Sequence, residues 1–75
     1  AGLIEIGSLW GEDGRGCGAR GVKGSEEGAL LDLKNRAAHR GASYVRLTHV
    51  RRPGFSPGCL TNRWKMVGRA FGPVP

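Results

Sequence analysis

The sequence predicts a small α+β domain, a mostly antiparallel sheet of three to four strands with one helix packed on one face, in the order strand-helix-strand-strand. Three observations carry that prediction. Residues 25–41 combine helical apolar spacing with a start and a stop signal; three other stretches alternate apolar and polar residues; and Gly-rich segments separate them. With 75 residues and 8.0 kDa the chain is one domain, 1–75, of a size where burial on folding is marginal.

Residues 3–10 place Ile4, Ile6, Ser8 and Trp10 on one side and Leu3, Glu5, Gly7 and Leu9 on the other, which reads as a strand with Ile4 and Ile6 toward the core. Gly7 marks a candidate bulge or close backbone approach. Residues 11–24 hold too many glycines for regular structure and read as a loop.

The helix is expected to open with Ser25 as N-cap, followed by acidic Glu26 and Glu27 that favour the positive end of the helix dipole. A capping box requires Glu or Gln where Gly28 stands, so the cap is partial. Ala29, Leu30, Leu33 and Ala37 form the apolar stripe, with Leu31 and Ala38 widening it and Asp32, Arg36 and His39 opposite. Small Ala37 and Ala38 permit close approach to a sheet. Lys34, Arg36, His39 and Arg40 suit the negative end, and Gly41 fits the position after the cap, where a left-handed conformation closes a helix.

Residues 43–50 read as a strand with Val45 and Leu47 inward and Tyr44, Arg46 and Thr48 outward. Residues 51–61 contain two Pro-Gly pairs and read as a turn-rich connection. Residues 62–71 alternate Trp64, Met66, Gly68 and Ala70 against Arg63, Lys65, Val67, Arg69 and Phe71, so the last two strands should pair as an antiparallel hairpin.

Twelve Lys and Arg, nine of them Arg, against six Asp and Glu give a net charge of +6, which suits an anionic partner: nucleic acid, lipid headgroups or an acidic protein face. No apolar run approaches the roughly 20 residues of a membrane span, and no signal-peptide core is present. Lacking an initiator Met, the sequence is expected to be a mature or trimmed form.

The motifs with chemical meaning are few. Residues 16–21 match G-x-G-x-x-G after a strand and before a helix, but residues 22–24 separate the third glycine from the helix, no acidic residue follows Asp32 to bind a ribose, and the chain is too short for a doubly wound sheet. No cofactor is expected. His39 is expected on a solvated helix face, His49 as a partly buried structural residue, and Glu12-Asp13 and Glu26-Glu27 as loop and helix-start neighbours. No catalytic residues are assigned and no enzyme is expected. Cys17 and Cys59 flank the helix and second strand. In an exported chain they would form one disulfide, stabilising the fold by roughly 4 kcal/mol on a chain-entropy basis. Free thiols are an alternative, as is a metal site with His39 and His49, although the paired ligand spacing of metal sites is missing.

The run from Ala37 to Val45, AAHRGASYV, followed by Ser56-Pro57-Gly58-Cys59 and Gly68-Arg69-Ala70, resembles the RcsF-like signalling domains of outer-membrane lipoproteins. With the Ile6-Gly7-Ser8 strand and Cys17, the likeness spans most of the chain. It implies a non-enzymatic periplasmic or outer-membrane module, tethered by a lipidated cysteine upstream of Ala1, with an envelope protein as partner, such as an outer-membrane protein. It also implies that Cys17 and Cys59 are bridged. A second bridge found in those domains has no counterpart here, where Val50 and Lys65 or Met66 stand.

Two functions compete on these residues. One is an envelope binding and signalling module whose basic sheet face, Tyr44, Arg46, Arg63, Lys65 and Arg69, meets an acidic partner. The other is a small basic nucleic-acid-binding domain using the same face, with Tyr44 or Phe71 stacking on bases.

Overall fold

The computed structural model describes residues 2–18, 21–56 and 59–74, with residues 55, 56, 59 and 60 described by their backbone alone. Strand β1 (Leu3–Asp13) is followed by helix α1 (Glu26–His39), strand β2 (Tyr44–Arg51), two short strands β3 (Phe55–Ser56) and β4 (Cys59–Leu60), and strand β5 (Trp64–Pro73). A three-stranded antiparallel sheet has the order β1-β5-β2, and β3 pairs with β4 in a separate two-stranded ribbon. The fold is thus the expected α+β arrangement of one helix on one face of a small antiparallel sheet. The last long strand lies in the centre, between β1 and β2.

That central position follows from composition. Met66, Gly68, Ala70 and Gly72 alternate along one face of β5 and are all buried beneath α1 or its flanks. The helix answers with Ala29, Leu33 and Ala37, a single i, i+4, i+8 row, all buried. Leu33 is the largest side chain in this row and joins Met66 as a fully buried core residue. Two glycines allow the approach. A Cβ at Gly11 would collide with the backbone of Ala29 and Leu33, and one at Gly68 would lie 3.3 Å from Leu33 Cδ2 and 2.9 Å from Val45 Cγ1. The close helix–sheet contact is therefore made at Gly11 by Ala29 and Leu33, whereas Ala38 is exposed. Leu31 does not widen the buried face either, being 59% exposed.

Ser25 is the N-cap, and its hydroxyl accepts from the Gly28 amide at 2.9 Å. The missing half of the capping box comes from across the fold. Asp13, at the end of β1, accepts from the Ser25 amide at 2.9 Å and lies 3.3 Å from the Ser25 hydroxyl, the task a Glu at Gly28 would perform. Gly28 leaves the room, because a Cβ there would meet the Asp13 carboxylate. At the other end Arg40 is the C-cap and Gly41 follows at φ +81°, as its position predicts.

Two irregularities change which side chains face the core. Register slips between Glu5 and Gly7, so Ile6 is the extra residue and the phase of β1 reverses after it. Gly7, Leu9 and Gly11 then face the helix, Leu9 and Gly11 are the buried residues of β1, and Ile4 is exposed. A second slip, between Leu47 and His49, puts His49 opposite Val67 on the face away from α1. His49 is exposed rather than partly buried, with Nδ1 3.3 Å from the Thr48 hydroxyl.

The Gly-rich segment is more ordered than its composition suggests. Arg15 and Val22 exchange backbone hydrogen bonds of 2.9 and 2.8 Å, and Gly14, Gly16 and Gly18 take positive φ. Ala19 and Arg20 of the G-x-G-x-x-G run, and Pro57 and Gly58 of the second Pro-Gly pair, lie outside the described residues. Asn62 ties this segment to the start of β5. Its side-chain amide donates to Gly18 O at 2.8 Å, its backbone amide donates to Gly16 O at 3.2 Å, and its carbonyl accepts from the Gly24 amide at 3.1 Å. Only 7% exposed, it is a buried polar residue with its hydrogen bonds made.

The expected Cys17–Cys59 disulfide lies outside the described residues, because the side chain of Cys59 is not among them. Cys17 is not a free thiol. The described links between the two loops are the Cys17–Thr61 strand bridge and the Asn62 bonds, which hold the segment against β5 through the backbone.

Candidate functional site

Directly opposed residues in a sheet share a face. Because Met66, Gly68, Ala70 and Gly72 face α1, the opposite face of β5 carries Lys65, Val67, Arg69 and Phe71. Register adds Tyr44, Arg46, His49 and Arg51 from β2, and Glu5, Ser8, Trp10 and Glu12 from β1. Four of the five sequence-predicted binding residues, Tyr44, Arg46, Lys65 and Arg69, thus share this outer face, and Arg63 joins it just before β5.

They fall into two groups. At one end Tyr44 packs on Phe71, ring centroids 5.9 Å apart at 44°, and Arg46 lies directly opposite Arg69. Arg69 reaches Glu5 on β1 at 3.3 Å, whereas Arg46 has no carboxylate partner among the described residues. Facing like charges oppose strand pairing, so the Arg46–Arg69 pair does not stabilise the free chain.

At the other end Arg63 and Lys65 line a pocket with Arg51, Arg52, Glu12, Gly16, Cys17 and Thr61. Four cations face one carboxylate. Glu12 pairs with Arg63 at 3.6 Å, and both side chains keep solvent contact, so this bond leaves the guanidinium available to a ligand. Lys65 also stands 5.7 Å from the Trp10 ring centre, and Arg36 of α1 flanks the same ring at 5.4 Å. Arg51 and Arg52 have no carboxylate partner among the described residues.

Thr61, which lines this pocket, is tied to the Gly54 backbone. Thr61 donates its hydroxyl to Gly54 O at 3.0 Å and accepts from the Gly54 amide at 3.1 Å, closing the β3–β4 ribbon beside Arg51 and Arg52. Arg51 and Arg52 were not legible as site residues from sequence, where they fall at the start of a turn-rich connection. Their signal was the Arg-Arg pair itself, one residue beyond the predicted end of the strand. His39 lies on the exposed helix surface and lines a separate shallow groove with Leu9, Trp10, Arg36 and Arg40. Among the described residues no group of three His, Cys, Asp or Glu is placed to hold a metal ion, and no helix is long and apolar enough to cross a membrane.

No family model, curated protein or solved structure matches the chain. The RcsF-like identity expected from residues 37–45 is therefore not borne out.

Proposed function

We propose that the chain is a binding module that takes an anionic macromolecule on the sheet face turned away from α1, anchored in the pocket of Arg51, Arg52, Arg63 and Lys65. The observation that carries this reading is that pocket, which is lined by four cations and one carboxylate. Guanidinium groups present forked donors that match carboxylate and phosphate oxygens two at a time, which favours Arg over Lys for such recognition. Arg46 extends the cationic row along β2, and the Tyr44–Phe71 pair supplies an apolar end-stop. The surplus of six positive charges attracts such a partner at long range.

The test is binding of labelled polyglutamate and of a single-stranded oligonucleotide across a range of salt concentrations. Binding of at least one probe is expected, weakening as salt rises and weakening about tenfold in the Arg51→Glu/Arg63→Glu variant. Failure of both probes to bind at low salt overturns the proposal.

A further inference from the structure

Strand β2 offers a partner three features at once. It is the outermost strand of the sheet, so its edge away from β5 hydrogen-bonds to no other strand among the described residues. Its helix-side face is apolar and largely beyond the cover of α1, with Leu47 43% and Val50 45% exposed. Its other face carries Tyr44, Arg46, His49 and Arg51, none of them paired with a carboxylate among the described residues.

The other sheet edge differs. Along β1 the helix packs closely, the Asp32 carboxylate accepts from the Glu12 amide at 2.9 Å, and the Trp10 ring is flanked by two cations. The Asp32 bond occupies one edge amide that an added strand would need. Proteins protect open edges because an unpaired strand is a template for another, and β2 lacks such cover.

We propose that β2 is an acceptor edge for an extended acidic peptide of a partner protein, which adds as a fourth strand with its acidic residues facing Arg46 and Arg51 and its alternate apolar residues covering Leu47 and Val50. This rests on the outer face being a site for anionic partners, and it names the partner. Strand addition draws affinity from main-chain hydrogen bonds and specificity from alternate side chains. Each of the three features is then used. A nucleic acid would meet only the cations and leave the amide edge and the apolar row unpaired. A second copy of the chain would bring Arg46, His49 and Arg51 against the same set, on a molecule already at +6.

The register sets the pattern of the peptide. Arg46 and Arg51 stand opposite Arg69 and Lys65, four residues apart on the regular strand β5, although they are five apart on β2 because of the slip at Thr48. A regular incoming strand therefore meets both cations with acidic residues at i and i+4, and a third at i+2 faces His49.

The experiment titrates the full chain with a blocked peptide of alternating Glu and Val. It also uses the same peptide N-methylated at alternate amides, which keeps the charge and removes edge donors, and a single-stranded oligonucleotide. The alternating peptide is expected to bind and to slow amide exchange in β2, the methylated peptide to bind about tenfold more weakly, and Arg46→Glu/Arg51→Glu to weaken the alternating peptide by at least that factor. Equal affinity for the two peptides overturns strand addition and leaves the anionic site standing. Binding of the oligonucleotide without the peptide overturns it too and assigns the face to nucleic acid. Failure of every probe removes both readings.

Discussion

Replacing Gly11 by Ala probes the contact on which the fold depends. A Cβ at this position would run into the amide of Leu33 and the carbonyl of Ala29, both backbone atoms of α1, with Leu33 Cα at 2.7 Å. A side chain can turn away from an intruding methyl; a helix backbone has to move as a body. Overpacking in a well-packed core costs about 1–3 kcal/mol, and the upper part of that range applies because the obstacle is backbone. A domain of this length has roughly 4–11 kcal/mol of total stability. At about 4–8 °C per kcal/mol for a chain of this size, Gly11→Ala should lower Tm by roughly 10–20 °C. Gly2→Ala is the control: nothing lies within 4 Å of its added Cβ, so its change should stay within about 0.5 kcal/mol. Thermal unfolding followed by circular dichroism measures both. A Gly11→Ala protein melting within a degree or two of the parent would refute the placement of α1 directly on β1.

Three further outcomes follow from the same contacts. Arg46→Glu removes a like-charge pair across β2 and β5 and places a carboxylate opposite Arg69, so it should stabilise the fold by about 0.2–1 kcal/mol while weakening anion binding; paired denaturation and binding measurements check whether the two move in opposite directions. Asp13→Ala and Ser25→Ala should each cost about 1 kcal/mol in chemical denaturation, with the double variant losing less than the sum because both act on one cap. Asn62→Ala removes the bond to the Gly18 carbonyl and should cost about 0.5–1.5 kcal/mol, with amide exchange quickening first in residues 14–18 and 21–24.

How far this structure was legible depended on whether the signals were local. Ser25, the acidic pair after it and Gly41 bracket the helix from within one segment, and the bounds of α1 follow them. Met66, Gly68 and Ala70 alternate without interruption, so the buried face of β5 was readable as well. Counting by twos failed in β1 and β2, where Ile6 and Thr48 are one-residue irregularities that reverse every side chain beyond them. Gly7 hinted at the first; nothing in the residues around Thr48 marked the second. Partners distant in sequence were invisible for a different reason. Asp13 completes a cap that begins at Ser25, and Asn62 holds a loop that starts at Gly14, because the fold folds those segments together. The candidate site divides in the same way. Tyr44, Arg46, Lys65 and Arg69 were readable as the outward phase of two strands, whereas Arg51 and Arg52 become site residues only when β2 runs on to Arg51 and the β3–β4 ribbon closes beside them.

Mapping backbone amide shifts during titration with the alternating acidic peptide tests most directly which surface meets a partner. The predicted result is a contiguous set of perturbed amides along β2 and around Arg51, Arg52, Arg63 and Lys65, with the exposed surface of α1 unchanged. Perturbations centred on Arg36, His39 and Arg40, or none at all at saturating peptide, would contradict it.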